Sequence, residues 1–325
     1  LAAAANARMI VATVTGIDAD LKKIYFDDRP ALKFDVLSIN IGGQHNLAMI
    51  DGAEKNAIPV KPISQFQTQF DALICSKPQQ NPVQNLPKKL AVIGGGAAGC
   101  ELALALITRW KAETGTGPEL SLITDKDRLI PQMAPKAAEL VEKTLHAGGA
   151  DILYGSRVTS INANNLTMDS GKTLGFDACF LVTQVAAPFW LADTGLDLDS
   201  HGFVTVKPTL QSTSHPYIFA AGDIAAVSHS PRPKAGVFAV RAGKILAHNL
   251  RRYIFAKPLT SWTPQKHYLA LIGTGDRRAI AVRGDVVIAG RLFWHLKCWI
   301  DRRFMKKFKN LSMPIAPPVV RFAGL

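Results

Sequence analysis

The most specific chemical pattern in the chain is a glycine-rich stretch, GGGAAG, at residues 94–99. It satisfies the spacing GxGxxG, follows an apolar run at residues 90–93, and precedes a helix-forming segment that reaches about residue 110. In this arrangement Gly94 permits a tight turn, Gly96 lets the backbone approach a diphosphate, and Gly99 lets the helix pack closely on the strand. The free N–H groups at the helix start attract the phosphates. The stretch predicts a dinucleotide-binding turn, the alternative being a structural glycine turn. The residues predicted to contact the dinucleotide are Gly94, Gly95, Gly96, Ala97, Ala98 and Gly99.

Two acidic residues near this turn carry further predictions. Asp125 follows the next apolar run, residues 120–124, where a carboxylate accepts hydrogen bonds from the adenosine ribose. Lys126 and Arg128 stand beside it and would suit a 2′-phosphate, so the choice between NAD and NADP stays open. Glu101 interrupts an apolar helix face, and a charged group there needs a partner. We predict that Glu101 contacts the nicotinamide end of the ligand, the alternative being a salt bridge to a neighbouring strand.

A second stretch with chemical potential is YIFAAGD, residues 217–223. The carboxylate of Asp223 can accept hydrogen bonds from sugar-like hydroxyls, and Gly222 lets the backbone come close to them. The alternative role of Asp223 is a helix N-cap, which is compatible with ligand contact. Upstream, an apolar run at residues 34–41 ends in the pair Gly42 and Gly43.

The elements around these residues alternate between strands and helices, which predicts an α/β fold. The predicted strands are residues 9–14, 21–26, 34–41, 90–93, 120–124 and 151–155, and the predicted helices are residues 63–75, 97–110, 134–147 and 238–253. After residue 258 two more strands and a basic helix form a small C-terminal unit. The polar, proline-containing stretch SKPQQNPVQNLPKK, residues 76–89, is typical of a linker.

Composition and charge limit the class of protein. The chain has 325 residues, of which 48% are hydrophobic, enough for two domains with real cores. Ten of its 38 basic residues lie between positions 277 and 309, beside only two acidic ones. Such a cluster favours an acidic partner, the alternative being a solvated helix. We regard nucleic acid as an unlikely partner class, and the oligomeric state stays open, a homo-oligomer included.

The four cysteines exclude two kinds of site. Cys75, Cys100, Cys179 and Cys298 form no CxxC or CxxxxC pair, and no Cys/His group has zinc spacing. We predict reduced thiols in a cytoplasmic protein and no metal site. No apolar run is long enough to span a membrane, and no signal peptide is present in the sequence.

YIFAAGD, followed by RPKAGVFAVRAGKILAHNL, resembles the flavin-closing segment of flavoproteins with two dinucleotide-binding domains, the pyridine nucleotide-disulfide oxidoreductase superfamily. The resemblance implies tandem Rossmann-like FAD- and NAD(P)-binding domains, with Gly42-Gly43, the glycine turn and Gly222-Asp223 in the family's order. It implies that Asp223 holds the ribityl chain of FAD. It also implies that four residues border the isoalloxazine ring, with the first tuning the flavin: Lys234, Ala235, Gly236 and Phe238.

The resemblance also predicts domain bounds. Residues 1–85 and 208–258 would form two parts of the FAD-binding domain, residues 86–207 the NAD(P)-binding domain, and residues 259–325 the C-terminal domain. The family's first element, the βαβ unit that holds the ADP half of FAD, would precede residue 1. We therefore expect the first βαβ of the FAD domain to be missing from this chain.

Within the superfamily, the absence of a vicinal cysteine pair argues against the disulfide reductases. The chain looks similar to type II NADH dehydrogenases. It is more similar to the flavoprotein module fused to selenide, water dikinase, on the segments VKPI, RPKAGVFAVRAG, YLALIGTGDRRAIAVRG and WIDRRFMKKF. One departure is QVAA at residues 184–187, where the family usually has a glycine.

The resemblance implies an FAD-dependent NAD(P)H oxidoreductase that passes a hydride from nicotinamide to flavin. Electrons would go on to a quinone or to a selenium compound. The alternative is a truncated, non-catalytic module that binds a nucleotide or docks a partner.

The basic C-terminal helix has an apolar face formed by residues three and four apart. Those residues are Phe293, Leu296, Ile300, Phe304 and Phe308. One interpretation is packing on the protein body or on a fused synthetase domain. The other is docking on the inner face of an anionic membrane or on a partner.

Overall fold

The computed structural model describes residues 1–45, 47–75, 86–183, 185–309 and 311. The strands are β1 Val14–Asp18, β2 Lys23–Phe26, β3 Leu32–Lys33, β4 Leu37–Ile39, β5 Gln44–His45, β6 Ile58–Pro59, β7 Lys89–Ile93, β8 Glu119–Ile123, β9 Ala150–Leu153, β10 Val158–Ile161, β11 Asn165–Met168, β12 Thr173–Gly175, β13 Ala178–Leu181, β14 Val185–Ala186, β15 Val204–Val206, β16 Ile218–Ala220, β17 Ala225–Val227, β18 Ala270–Gly273, β19 Ala279–Arg283 and β20 Val286–Gly290. The α-helices are α1 Ala53–Asn56, α2 Ile63–Cys75, α3 Ala97–Thr114, α4 Pro135–Ala147, α5 Gly236–Ile254 and α6 Arg291–Lys309.

The first unit is built on a five-stranded parallel sheet in the order β6-β13-β7-β8-β9. Successive side chains of a strand point to opposite faces of a sheet. In β7, Leu90 and Val92 join the core cluster that contains α3 and α4. Ala91 and Ile93 join a second cluster, formed with the antiparallel strands β10–β12. Helices therefore cover one face of the sheet and the meander covers the other.

The helices of this unit begin and end at residues that favour those positions. Helix α3 is followed by Gly115 in the left-handed region, at φ 77°, a conformation glycine adopts without strain. Helix α4 has Pro135 in its first turn, where a missing N–H costs nothing, and Gly148 follows its last residue. The two predicted helices are confirmed, and α3 runs four residues further than expected.

The second unit gathers segments from distant parts of the chain. Strand β4 pairs in parallel with β16, and β15 pairs in parallel with β17. An antiparallel sheet, β1–β3, and the long helix α5 complete it. Its core cluster includes Ile39, Leu191, Val204, Phe219 and Leu246. Because β4 and β16 lie some 180 residues apart in sequence, this unit depends on long-range pairing.

The C-terminal antiparallel sheet β18–β20 packs on the first unit. Ile272, Ile280, Val282 and Val287 belong to the same core cluster as α3 and α4. Helix α6 lies against this sheet through its first half. Its second half carries apolar side chains that stay partly exposed: Ile300 is 39%, Phe304 37% and Phe308 42% accessible.

The α/β fold with a parallel Rossmann-like sheet is confirmed. The predicted strand at residues 9–14 is wrong, because Met9 and Val11 are exposed and the first strand begins at Val14. Two segments pack differently from the predicted domain bounds. Helix α1, strand β6 and helix α2 join the first unit's sheet and cores. Residues 191–206, which include β15, join the second unit's core. The bound at 85/86, most of the predicted linker and the chain end after 311 lie outside the described residues.

Candidate functional site

The glycine turn between β7 and α3 has the geometry its spacing predicts. Gly94 adopts φ 127°, and a Cβ there would collide with the carbonyl oxygen of Val182 on the neighbouring crossover. A Cβ on Gly99 would collide with the carbonyl oxygen of Gly94, so the helix passes directly over the turn. Gly96 is different, because a Cβ added there would meet nothing within 4 Å. A Cβ on Gly95 would meet the side chain of Thr124, so the turn is closed by the protein at three of its four glycines and open at Gly96.

The N-terminus of α3 faces this open position with unpaired donors. Gly96 is the N-cap and supplies no side-chain hydrogen bond. The first N–H groups of a helix have no partner within the helix. Those of Ala97, Ala98 and Gly99 are therefore available to an anion, which the helix dipole also favours. An open glycine beside free amides fits a diphosphate.

Asp125 lies just beyond the end of β8 with its carboxylate exposed. Its Oδ2 accepts a bond from Lys126 Nζ at 2.8 Å. The guanidinium of Arg128 donates to the carbonyl oxygens of Pro131, at 2.7 Å, and Met133, at 3.4 Å. Arg128 is thus engaged in its own loop, whereas the carboxylate of Asp125 and the ammonium of Lys126 both reach the surface.

Glu101 makes structural contacts of the kind expected if its role were a salt bridge beside a neighbouring strand. Its Oε1 accepts from the backbone N–H of Gly273 on β18, at 2.7 Å, and pairs with Lys297 Nζ on α6, at 3.1 Å. Lys297 also donates to the carbonyl oxygen of Leu271 at 3.0 Å. Glu101 therefore joins helix α3 to the C-terminal sheet and helix. Its predicted contact with nicotinamide stays a prediction.

Asp223 lies in the 3-10 helix Gly222–Ile224, directly after β16. Gly222 has φ 75°, and a Cβ there would meet the side chain of Asn40, so the turn runs close to the end of β4. The Oδ2 of Asp223 accepts from Lys61 Nζ at 2.9 Å. Within the described part of the chain, the second carboxylate oxygen has no protein partner, so it can accept from a ligand.

Lys234 is partly buried, and its ammonium contacts the protein itself. Its Nζ donates to the carbonyl oxygen of Ala225 at 2.8 Å and lies 3.8 Å from the centroid of the Phe203 ring. Burial lowers the pKa of this amine, with the carboxylates of Asp199 and Asp223 opposing the shift. Its predicted role in tuning a flavin stays a prediction beside these structural contacts.

Residues of the predicted flavin site meet at a cavity of about 280 Å³. Gly222 and Asp223 line it together with Lys234, Ala235 and Phe238, three of the four residues predicted to border the ring; Gly236 is not among its lining residues. Helix α5 begins at Gly236, and a Cβ on this glycine would meet nothing within 4 Å. The ring of Phe238 is buried and packs edge-on against Tyr268, with centroids 5.3 Å apart. The structure thus brings the second predicted group together.

Gly42 and Gly43 follow β4 in the connection between the two units. Gly42 adopts φ 69° with open space at its Cβ position. A Cβ on Gly43 would lie 2.7 Å from the Cβ of Val185, on the crossover strand β14 that pairs with β5. Gly43 thus permits the two crossing connections to touch. Gln184, at the departure from the family pattern, lies outside the described residues.

Two residues that hold these acids were not predicted from the sequence as site residues. Lys61 lies within the segment VKPI, and its partner lies 162 positions away. Lys297 is one of several cations on the basic helix α6. No local pattern names such partners, because a lysine side chain is usually solvated.

The described residues contain no group of three His, Cys, Asp or Glu side chains placed to bind a metal ion. Within the same ranges, no helix combines the length and hydropathy that crossing a bilayer requires.

The family model of the pyridine nucleotide-disulphide oxidoreductases matches residues 3–243. This span includes the glycine turn, the Asp223 turn and the start of α5. The chain belongs to the pyridine nucleotide-disulphide oxidoreductase family. The superfamily inferred from YIFAAGD and the glycine turn is therefore confirmed.

Two relatives, one from an amphibian and one from a bacterium, are each 25% identical to this chain over the matched residues. Ferroptosis suppressor protein 1 of Xenopus tropicalis is 25% identical over 264 residues, which cover 77% of this chain and 65% of that protein. The type II NADH:quinone oxidoreductase of Haemophilus influenzae is 25% identical over 262 residues, covering 71% of this chain and 58% of that protein. The chain thus spans less than two thirds of either relative's length.

Among solved structures, the sulfide:quinone oxidoreductase of Aquifex aeolicus superposes with a TM-score of 0.73. The match covers 95% of this chain and 77% of that protein, at 17% sequence identity. At this identity the likeness establishes the fold of this pyridine nucleotide-disulphide oxidoreductase.

Proposed function

We propose that this chain is an FAD-dependent NAD(P)H oxidoreductase that passes electrons from a nicotinamide nucleotide to a quinone. The observation that carries the proposal is the glycine turn, closed by backbone contacts at Gly94 and Gly99 and open at Gly96. The open Cβ position at Gly96 leaves room for a diphosphate beside the first N–H groups of α3, which have no partner within the helix.

On the nucleotide side, the amides of Ala97 and Ala98 would hold the diphosphate, and Asp125 would accept from the adenosine ribose. The engagement of Arg128 with its own loop carbonyls favours NADH over NADPH, since this cation is not free to meet a 2′-phosphate. Lys126 beside the carboxylate keeps some tolerance for NADPH.

On the flavin side, Asp223 supports the proposal with an unpaired carboxylate oxygen, and Gly236 with open space at the start of α5. Bound FAD would supply the two-electron chemistry, accepting a hydride from NAD(P)H and delivering electrons to the acceptor. Lys234 would act from behind the site, holding the Ala225 carbonyl while its positive charge lies near the cavity. The chain's own task is to position two ligands, which hydride transfer requires more than acid–base groups.

A quinone is the acceptor that the relatives favour, because two of them carry quinone in their names. A selenium compound is the rival acceptor and rests only on the resemblance to the module fused to selenide, water dikinase. Reoxidation of the NADH-reduced protein, described below, distinguishes the two acceptors.

The second half of α6 supports a place at an anionic membrane surface. Ile300, Phe304 and Phe308 extend the face that packs on the sheet, and they remain exposed. A surface cleft elsewhere on the helix is lined by the cations Arg277, Arg302, Arg303 and Lys306 and by the aromatic rings of Trp294 and Trp299. A helix with an exposed apolar face and a separate basic and aromatic surface suits anionic lipid headgroups. Vesicle flotation with and without anionic lipid tests this. The wild type should float with vesicles that contain anionic lipid, and the variant that combines Phe304→Ser with Phe308→Ser should not.

The test of the main proposal is the purified full chain mixed with FAD, then with NADH under anaerobic conditions. We expect a yellow protein that NADH bleaches and that a short-chain quinone restores to yellow. Bleaching that only a selenium compound reverses would replace the acceptor. A chain that binds NADH but takes up no FAD would overturn the oxidoreductase proposal in favour of a nucleotide-binding module.

A further inference from the structure

The inference rests on the proposed function and concerns Lys61, whose backbone is anchored to the first unit. The preceding residue, Val60, donates its N–H to the carbonyl oxygen of Leu181 at 3.1 Å. Strand β6 just before it pairs with β13 of the five-stranded sheet, and helix α2 begins two residues after Lys61. Phe66 and Phe70 of that helix pack on the first unit's core. Lys61 therefore moves with the nucleotide-binding sheet.

Asp223 is anchored just as firmly to the second unit. Its neighbours Ala221 and Ile224 are buried in that unit's core. The N–H of Ala221 donates to the carbonyl oxygen of Ile39 at 3.1 Å, which fixes the turn to the end of β4. The Lys61–Asp223 ion pair thus joins the two separately packed units beside the proposed flavin site.

The ion pair is asymmetric in its exposure. The side chain of Asp223 is 18% accessible and that of Lys61 is 40% accessible. An ion pair this open to water contributes little to the stability of the ligand-free protein. A ligand covering the pair would remove its water, and an unpaired carboxylate would then be costly. The ion pair from Lys61 therefore contributes more free energy when a ligand fills the site than when the site is empty.

We propose that Lys61 is a positioning residue of the flavin site: its ammonium holds Oδ2 of Asp223 and leaves Oδ1 for the polyhydroxyl chain of FAD. Lys61 thereby couples the first unit's sheet to the carboxylate that binds the flavin. No bond is made or broken by this residue. Its effect passes through Asp223.

The experiment is a double-mutant cycle on FAD affinity in the full chain. The variants are Lys61→Met, Asp223→Asn and both together, with Lys61→Arg as the conservative replacement and Lys172→Met as the exposed-lysine control. We expect Lys61→Met to weaken FAD binding by about 10- to 100-fold, with an unchanged unfolding midpoint in the absence of FAD. The double variant should bind no more weakly than Asp223→Asn alone. Lys61→Arg should restore most of the affinity, and Lys172→Met should match the wild type.

A second readout is NADH affinity, which depends on the glycine turn and should be the same in all variants. Equal FAD affinity in Lys61→Met and wild type would overturn the inference while leaving the proposed function intact. Fully additive losses would also overturn it, because Lys61 would then act independently of Asp223. Wild-type protein that binds NADH and no FAD would overturn the proposed function, and the inference with it.

Discussion

The two units of this protein hold their candidate ligands in different ways. In the first, residues 89–125 contain a strand, a turn, a helix, a second strand and the acidic residue after it. In the second, the site is assembled from the end of β4, from Lys61, from Asp223 and from the start of α5. The first site is therefore encoded mainly by one contiguous segment, with Val182 of the neighbouring crossover packed against the turn at Gly94. The second exists only when distant segments have packed, so its residues depend on one another's positions.

The largest effect should come from a steric clash introduced into the glycine turn. Gly99→Ala places a Cβ against the carbonyl oxygen of Gly94, a backbone atom that cannot rotate away. We expect a loss of about 3 kcal/mol in the free energy of unfolding and no measurable NADH binding. Urea unfolding and NADH titration by fluorescence measure the two quantities.

The matched change in the second unit is Gly222→Ala. Here the new Cβ meets the tip of the Asn40 side chain, which can move, so the remaining cost is the left-handed backbone, about 1–2 kcal/mol. A Gly222→Ala protein less stable than Gly99→Ala would contradict the contrast between a rigid local turn and an assembled site.

The next effect separates binding from stability within the turn itself. Gly96→Ala adds a methyl group where no protein atom lies within 4 Å, so the fold should be unaffected. The same methyl would occupy the space of the diphosphate, and NADH should bind about 10- to 100-fold more weakly. Calorimetric titration and thermal unfolding measure both. Gly243→Ala, on helix α5 and also without a contact, is the control that should leave NADH affinity unchanged. Equal NADH affinity in Gly96→Ala would show that no diphosphate lies there.

The contrast between the two units also explains what could be predicted from the sequence. The glycine turn and helix Ile63–Cys75 were predicted because spacing and periodicity over a few residues determine them. The fold class followed from the alternation of strands and helices. The strand predicted at residues 9–14 was wrong because its apolar side chains have no surface to pack against, which no local pattern reveals.

Partner choice is the other part that local patterns could not determine. The predictions named Asp223 and Glu101 as acids with a role, yet neither Lys61 nor Lys297 as the cation beside them. In each case the cation comes from an element distant in sequence and arrives there only by packing. Side-chain partners across units therefore need the structure.

A smaller effect is expected for Glu101, which joins helix α3 of the first unit to the C-terminal sheet and to α6. The side chains of Glu101 and Lys297 are 35% and 29% accessible, so their ion pair contributes modestly. Glu101→Ala leaves the Gly273 N–H without its acceptor and should cost about 1 kcal/mol of stability. Glu101→Gln keeps an acceptor oxygen and should lose less. Unfolding in urea measures the difference.

The structural role of Glu101 predicts that Glu101→Gln binds NADH as tightly as the wild type. Lys297→Met, which removes the same ion pair from α6, is the matched control and should behave alike. Weaker NADH binding in Glu101→Gln, with Lys297→Met unaffected, would instead support the contact with nicotinamide.

The smallest change needs no substitution and uses the cysteines of the first unit and of α6 as reporters. Burial raises the pKa of Cys100 to about 12, and burial likewise raises the pKa of Cys179 to about 12. A raised thiol pKa means that both stay protonated at pH 8, and neither is accessible to reagent. Cys298 on α6 is partly exposed. Iodoacetamide at pH 8 should therefore label Cys298 and leave Cys100 and Cys179 unmodified, as measured by peptide mass spectrometry of the three peptides.

The same labelling sharpens the contrast when it is applied to the glycine variants. Cys100 lies one residue beyond Gly99, and its Sγ contacts the carbonyl oxygen of Gly95 at 3.7 Å, so its burial depends on the closed turn. Gly99→Ala should make Cys100 reactive, whereas Gly222→Ala should leave it protected, because the second unit can rearrange without opening the first. Labelling of Cys100 in Gly222→Ala would mean that the two units share one folding unit, and the distinction between a local and an assembled site would not hold.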